Sequence, residues 1–317
     1  MNTFAIVTDS SCDLPESLAR EIDLTVLPLA FVMNGREYYN YLDEREILLH
    51  DFYEALRVGQ PCTTSAVNVD AFVSAMEPLL KQGRDVLCIA FSSGLSNTYN
   101  AAALAVEELA QKYPERKIYA VDSLCASLGQ GLLIYLAAQE RSKGKPIEEV
   151  RDWVEKEKYH LCHWFTVEDL QFLKRGGRVS SATALVGTML SIKPVMHMDN
   201  AGHLINISKA RGRKASLRAL VDRMEQLAIQ PEEQTVFISH GDSLEDAQFV
   251  ANEVQSRLGV QKPITINYVG PVIGAHSGPG TIALFFLGKE RSSGIPIAVV
   301  FEQDSPFIHL LKSRLQI

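Results

Sequence analysis

The sequence predicts an α/β protein of two domains, the first built on a mainly parallel sheet and the second on a mixed sheet. Its 317 residues exceed the usual size of one domain. Short runs rich in β-branched residues alternate with segments of helical periodicity, as in parallel strands joined by helices. Residues 199–202 (DNAG) separate two apolar runs as a hairpin turn does, so antiparallel pairing is expected in the second half.

Each expected strand is a short apolar or β-branched run bounded by turn or helix signals. In the first half these runs cover residues 4–8, 25–32, 86–91 and 118–121. In the second half they cover residues 160–165, 195–198, 204–208, 235–239, 264–269 and 281–286. Helical periodicity marks residues 46–58, 69–81, 98–112, 131–143 and 217–227. A break near residues 143–146 (KGKP), or just after the helix that follows, predicts domains at 1–157 and 158–317.

Composition excludes several classes of protein. The chain is 46% hydrophobic and 22% charged, which is ordinary for a globular protein and excludes a disordered one. Its formal net charge of −7 disfavours nucleic acid as a partner, because that binding depends on neutralising phosphates. We see neither a membrane span nor a signal peptide. The five cysteines are scattered without a CxxC pair, which indicates reduced thiols and a cytoplasmic location.

Small hydroxyl and acidic residues follow several expected strands. They occur at residues 8–11 (TDSS), 92–96 (SSGLS), 122–123 (DS) and 239–243 (SHGDS). The carboxyl ends of parallel strands are where α/β proteins bind ligands. Ser, Thr and Asp are also ordinary helix caps, and residues 13–16 (DLPE) have capping-box spacing. The pattern therefore indicates a binding site without naming its ligand.

The usual catalytic and cofactor motifs do not occur in the sequence. It has no GxxxxGK[ST] phosphate loop, no strand-linked GxGxxG, no HExxH and no GxSxG elbow. His160 and His163 are three residues apart, but no cysteine completes a zinc set, so we interpret them as structural. We expect no metal and no cofactor.

Seven motifs occur in the order typical of one family. They are residues 6–15 (IVTDSSCDLP), 63–65 (TTS), 91–99 (FSSGLSNTY), 121–123 (VDS), 173–180 (LKRGGRVS), 192–194 (IKP) and 270–280 (GPVIGAHSGPG). Together, over roughly residues 4–288, the sequence resembles the DegV family. That family includes the fatty-acid-binding subunits (FakB type) of bacterial fatty acid kinase. Asn97 stands where many relatives carry glycine, and residues 289–317 have no assigned role.

The resemblance implies a lipid-binding protein rather than an enzyme. Its implied ligand is a long-chain fatty acid, buried between or within the two domains. The implied carboxylate contacts are Thr64 or Thr63, Ser93 or Ser92, and His276. This set is chemically reasonable, because a carboxylate in a site of low dielectric needs hydrogen-bond donors. The apolar residues Phe31, Phe91, Leu95, Ile192 and Phe286 are candidates for the tail pocket, but each is better interpreted as a core side chain, so acyl length and saturation stay open.

The resemblance also implies a partner, the catalytic subunit of a fatty acid kinase, which acts in phospholipid metabolism. Two basic clusters, at residues 174–178 and 209–214, stand out in an acidic chain. Arg175, Arg178, Arg211 and Arg213 are therefore expected to dock the kinase or stabilise an acyl phosphate, although such runs are often only solvated surface. A transient contact with a membrane surface is compatible with this role.

An enzyme is the alternative. In this hypothesis a serine of residues 92–96 attacks a small anionic or carbonyl substrate, with His276 as the base. It requires hydrogen-bond contact between the two side chains and a third group that orients the histidine, which the sequence does not name.

Overall fold

The computed structural model describes residues 4–179, 191–289 and 291. Its strands are β1 (Phe4–Asp9), β2 (Leu24–Leu27), β3 (Ala30–Met33), β4 (Arg36–Tyr39), β5 (Cys62–Ser65), β6 (Asp85–Ala90), β7 (Ile118–Asp122), β8 (Leu161–Thr166), β9 (Ile192–Met198), β10 (Leu204–Arg211), β11 (Phe237–His240), β12 (Thr265–Tyr268) and β13 (Ile282–Leu287). Its helices are α1 (Glu16–Glu21), α2 (Leu49–Arg57), α3 (Val69–Lys81), α4 (Thr98–Lys112), α5 (Leu128–Ser142), α6 (Ile147–Glu157), α7 (Gln171–Arg175), α8 (Arg213–Leu227), α9 (Leu244–Leu258) and α10 (Pro271–Ser277). Short 3-10 helices cover Ser10–Cys12 and Pro231–Glu233.

The first sheet is parallel and has the strand order β2-β1-β6-β7. Helices cover both of its faces, because successive side chains of a strand point to opposite sides. Ile6 packs into a core with α5 and α6, and its neighbour Val7 packs into a second core with α3 and α4. Burial on both faces explains why β1 and β6 are nearly continuous apolar runs.

The second sheet is mixed and has the strand order β10-β9-β8-β13-β11-β12. Only the β11–β12 pair is parallel among its described pairings. Helices α8 and α9 pack on one face, and α5 packs on the other with Phe165, Phe237 and Phe285. Helix α5 thus contacts both large sheets and connects their cores.

A third, antiparallel sheet has the order β4-β3-β5. It corrects two expectations. Residues 25–32 were expected to form one strand, but they divide between β2 of the parallel sheet and β3 of the third sheet. Pro28 lies at this division and has no N–H with which to continue the ladder. Residues 63–65, which are not among the strands expected from the sequence, belong to strand β5.

The predicted fold class is confirmed: one parallel sheet is followed by one mixed sheet in an α/β chain. The hairpin expected at residues 199–202 is also confirmed, because it joins the antiparallel strands β9 and β10. Strands β1–β7 lie before residue 157 and strands β8–β13 lie after residue 158. This distribution supports our proposed division into domains 1–157 and 158–317. In the described part of the chain, no helix is both long and apolar enough to cross a membrane.

Candidate functional site

A mainly apolar cavity of about 260 Å³ lies among residues from both halves of the chain. This volume is slightly below the range typical of small-molecule sites, roughly 300–1,000 Å³. The apolar part of its wall consists of Leu29, Ala66, Phe91, Leu95, Ala126, Phe165, Leu173, Met198, Leu204, Val269, Val272, Ile273, Ala283 and Phe285. Such a wall suits a hydrocarbon.

Thr64 and His276 are two polar residues of the cavity wall, and their contact joins the two halves of the chain. Thr64 Oγ1 lies 2.8 Å from His276 Nε2. Thr64 is half-buried on β5, where its register partner on β3 is the buried Phe31. His276 lies in the last turn of α10. Thr63, the neighbouring candidate, is exposed and does not line the cavity.

His276 is neutral at physiological pH. Burial lowers the pKa of its imidazole to about 4, and the positive charge of Arg178 acts in the same direction. A neutral imidazole still offers one N–H donor and one acceptor. The close packing of this ring requires glycine at position 176, because a side chain there would collide with His276 Nδ1. This contact gives a physical reason for the first glycine of the residue 173–180 motif.

Arg178 lies beside this pair rather than on a separate docking surface. It is half-buried and lines the cavity, and its guanidinium donates to the backbone oxygens of Leu95 and Gly176. From the sequence, Arg178 was expected either to dock the kinase or to stabilise an acyl phosphate, and its place beside Thr64 and His276 was not foreseen. The two glycines before Arg178 were the signal in the sequence, because glycines permit a tight turn and such a turn can direct the next side chain toward the protein interior.

An outer groove of about 400 Å³ adjoins the cavity. Thr64, Arg178 and His276 line both spaces, so they lie at the boundary between the apolar interior and the outside. Arg175 lines only the groove, where its guanidinium lies 4.7 Å from the centre of the Phe172 ring. A polar group held at this boundary is therefore accessible from the surface.

Neither serine of the predicted Ser92/Ser93 pair lines the cavity. Ser92 is fully buried, and its Oγ donates to the backbone oxygen of Gly202 at 2.9 Å, which fixes the β9–β10 hairpin. Ser93 is exposed. From the same motif, Ser96 and Asn97 line the cavity instead, and Ser96 Oγ lies 2.9 Å from Thr98 Oγ1.

The remaining predicted arginines lie away from the cavity. Arg211 is exposed at the end of β10. Arg213 is half-buried and forms ion pairs with Asp246 at 2.8 Å and with Glu168 at 3.6 Å. Arg211 is thus available to a partner, whereas the charge of Arg213 is already balanced within the protein.

The predicted tail residues separate into two groups. Phe91 and Leu95 line the cavity. Phe31 and Phe286 are completely buried in the cores, and Ile192 is half-buried outside the cavity wall.

Asp13, Ser127 and Ser239 form a buried polar chain that the sequence did not single out as a unit. Ser127 Oγ lies 2.6 Å from Asp13 Oδ2 and 2.9 Å from Ser239 Oγ. Burial raises the pKa of Asp13 to about 8, so its carboxyl is largely protonated at neutral pH. Both serines line the cavity.

The histidines expected to be structural bond to the backbone. His163 Nε2 accepts from the Ala126 N–H at 3.3 Å, and His160 Nδ1 lies 3.2 Å from the backbone oxygen of Gly288. One described group, His50 with Glu54 and Asp242, has the spacing of metal ligands. Arg57 already forms ion pairs with both of its carboxylates, at 2.6 Å and 2.5 Å, so this group does not indicate a cation site.

The geometry does not favour the enzyme alternative. In the part of the chain that the structure describes, His276 bonds to Thr64 and to none of Ser92, Ser93 or Ser96. No described carboxylate orients its ring. The required serine, base and orienting group are therefore not assembled here.

Comparisons with known proteins agree with this architecture. The family model described as "Uncharacterised protein, DegV family" matches residues 3–289. A DegV domain-containing protein of Clostridium perfringens is 48% identical over 291 residues, which cover 92% of this chain and 99% of that protein. A second one, from Streptococcus pyogenes, is 33% identical over 287 residues, covering 90% and 99%.

Solved structures show the same fold. A DegV family protein of Thermus thermophilus, described by its fatty acid binding, is 30% identical with a TM-score of 0.81, covering 90% of this chain and 99% of that one. DegV of Bacillus subtilis, described as a fatty acid binding protein, is 28% identical with a TM-score of 0.77, covering 91% and 100%. The chain therefore belongs to the DegV family.

Proposed function

We propose that this chain binds a long-chain fatty acid in the cavity and presents its carboxylate to a separate kinase subunit, which phosphorylates it to an acyl phosphate. One observation carries the proposal: the apolar cavity has Thr64, Arg178 and His276 at its boundary with an outer groove. A hydrocarbon chain with one anionic end matches this distribution of apolar and polar groups.

Hydrocarbon burial supplies the driving force for binding. Each buried CH₂ contributes about 0.8 kcal/mol, before the costs of association are subtracted. The carboxylate then needs donors to replace water. Arg178 offers a charge-assisted bond, and the Thr64–His276 pair retains one O–H or N–H donor whichever of the two donates to the other. Thr64, Arg178 and His276 are the head-group contacts that we propose.

Two similar proteins support the choice of ligand. The structures from Thermus thermophilus and Bacillus subtilis are both described by fatty acid binding, and each shares more than a quarter of its residues with this chain. We infer from this likeness and from the cavity that the ligand is a fatty acid and that binding needs no cofactor.

Access to the head group supports the role as a carrier. Because Thr64, Arg178 and His276 also line the outer groove, a carboxylate beside them is accessible to a second protein. Arg175 in the groove and the exposed Arg211 are the cationic contacts that we assign to the kinase, in place of Arg213, whose charge is balanced. We place this activity in the cytoplasm, in phospholipid metabolism, with transient access to a membrane surface.

Phosphorylation can be tested directly. The protein, loaded with hexadecanoic acid, would be incubated with ATP and the fatty acid kinase subunit of the same organism, and acyl phosphate would be trapped with hydroxylamine. We expect hydroxamate only when both proteins are present. Equal hydroxamate from the kinase with free hexadecanoic acid would contradict the proposed role of this chain.

A further inference from the structure

Two hydroxyl groups in the cavity wall are not among the head-group contacts that we propose. They belong to Ser277, the last residue of α10, and to Ser239 on β11, and both residues line the cavity. The hydrocarbon part of a fatty acid offers C–H groups alone, so it cannot satisfy either hydroxyl.

Ser277 provides the stronger observation. Its side chain is buried, with a relative exposure of 5%, and its Oγ has no hydrogen-bond partner among the described residues. The neighbouring Thr281 differs, because its Oγ1 donates to the backbone oxygens of Gly278 at 2.8 Å and Ser277 at 3.1 Å. Buried hydroxyls are normally bonded, and leaving one without a partner is unfavourable. The unpaired hydroxyl of Ser277 is therefore a feature that a polar ligand atom would explain.

Ser239 has unused hydrogen-bonding capacity. Its one described side-chain contact is with Ser127 Oγ at 2.9 Å, and Ser127 also contacts Asp13 Oδ2 at 2.6 Å. If Ser127 donates to Asp13, Ser239 donates to Ser127 and keeps its acceptor sites. If Ser127 donates to Ser239, the Ser239 proton is unused. In both arrangements Ser239 can make one more bond.

The position of Ser277 limits where a ligand oxygen would lie. Ser277 directly follows His276, and consecutive Cα atoms are about 3.8 Å apart. The unpaired hydroxyl is therefore near the head-group end of the cavity rather than at a remote end. An oxygen that reaches it would be attached to the carboxyl-proximal half of an acyl chain.

We propose that the cavity prefers a fatty acid with a hydroxyl or keto oxygen on the carboxyl-proximal half of its chain, bonded to Ser277, with Ser239 as a second contact. This inference rests on the proposed function, because it places the carboxylate at Thr64, Arg178 and His276. It adds a substrate class that unsubstituted fatty acids do not represent.

Competition binding tests the preference. In three separate experiments, delipidated protein would be mixed with equal amounts of octadecanoic acid and one hydroxy acid, either 3-hydroxy-, 6-hydroxy- or 18-hydroxyoctadecanoic acid. The two bound species of each pair differ in mass and would be quantified by native mass spectrometry, whereas the three hydroxy acids are isomers of equal mass. We expect the 3- or the 6-hydroxy acid to be retained roughly 2–10-fold over octadecanoic acid, which corresponds to the gain of one hydrogen bond. The 18-hydroxy acid should show no advantage, since its oxygen is at the far end.

Variants identify the residue responsible. Ser277→Ala should abolish the preference while octadecanoic acid still binds. Ser277→Cys should do the same with a side chain of similar shape, because a thiol is a weak hydrogen-bonding group. Ser256→Ala, an exposed serine on α9, is the control and should keep the preference.

Each contrary result is informative. Equal retention of all four acids, each bound at one per protein, would overturn the inference and leave the proposed function intact. A preference that survives in both Ser277 variants would overturn the role of Ser277. Failure to bind any of the acids would instead refute the proposed function.

Discussion

Thr64 Oγ1 and His276 Nε2 lie 2.8 Å apart, although 212 positions separate them in the chain. One belongs to a strand of the small antiparallel sheet and the other to the last turn of α10. Their contact joins the two halves of the chain beside an apolar cavity. A ligand bonded to this pair would contact both halves at once.

Replacing Thr64 by valine should weaken fatty acid binding. The substitution keeps the shape of the side chain but removes its hydroxyl, and a hydrogen bond to a charged group contributes about 1.5–3 kcal/mol. We expect roughly 10–100-fold weaker binding of hexadecanoic acid, measured by titration calorimetry. Thr63→Val is the matched control, because Thr63 is exposed and outside the cavity. Equal losses in the two variants would show that the hydroxyl of Thr64 is not a specific contact.

Arg178→Gln should have two effects. Loss of the guanidinium removes a charge-assisted bond, so affinity for hexadecanoic acid should fall roughly 10–100-fold. It also removes the positive charge that lowers the pKa of His276, so this imidazole should titrate at a higher pH in an NMR experiment on the free protein. Arg218→Gln, on the exposed face of α8, should change neither property. Unaltered affinity in Arg178→Gln would show that Arg178 does not contact the carboxylate, and would leave the docking role expected from the sequence.

Charge reversal at Arg175 and Arg211 should separate binding from phosphorylation. Both side chains are exposed, and neither lines the cavity. The double variant Arg175→Glu/Arg211→Glu should bind hexadecanoic acid normally but yield at least several-fold less acyl phosphate with the kinase subunit. Arg20→Glu/Arg218→Glu, with two charge reversals at exposed residues of α1 and α8, should leave the yield unaltered. Normal phosphorylation by the double variant would refute this docking surface.

The protonated carboxyl of Asp13 should make its stabilising contribution depend on pH. Burial raises its pKa from 3.8 to about 8 in the folded protein, so the folded state binds the extra proton between these values. By linkage, the contribution of Asp13 to the free energy of unfolding is fully present below about pH 3.8. It decreases as the pH rises and is lost once the pH has passed about 8. Urea unfolding from pH 5 to 8 should therefore show stability falling in the wild type relative to Asp13→Asn.

The four histidines with lowered pKa act in the opposite direction. Burial keeps His163, His197, His240 and His276 neutral in the folded protein, so their contribution is lost as the pH falls below about 6.5. The wild type and Asp13→Asn contain the same four histidines, so their contribution cancels in the difference between the two stability curves. Asp43→Asn is the control, because Arg45 lowers the pKa of the exposed Asp43 and its contribution is constant above about pH 5. Parallel curves for the wild type and Asp13→Asn would show that Asp13 is ionised when folded.

The sequence predicted those parts of the fold that depend on local pattern. Helices α3 and α4 have the expected bounds, since their apolar residues recur at helical spacing. The turn at residues 199–202 was also predictable, because its sequence (DNAG) is typical of a hairpin turn. Strand β4 (Arg36–Tyr39) was missed because it is polar and largely exposed, and its pairing with β3 is a tertiary effect that no local pattern records.

The site was less predictable than the fold. A two-serine motif does not reveal which hydroxyl the following turn buries, and here Ser92 bonds to Gly202 while Ser93 is exposed. Arg178 belongs to a cluster of basic residues that is ordinarily solvated, and only folding places it beside His276. Contacts between residues far apart in the chain decided both outcomes.

Native mass spectrometry of the freshly purified protein, followed by extraction and identification of what it releases, tests the central claim most directly. The proposed function predicts one long-chain fatty acid per protein, which would also reveal its length, saturation and any oxygen substituent. A protein that is empty, and that takes up none of a panel of fatty acids from 12 to 20 carbons after delipidation, would contradict the proposed function. The family assignment would then describe the fold alone.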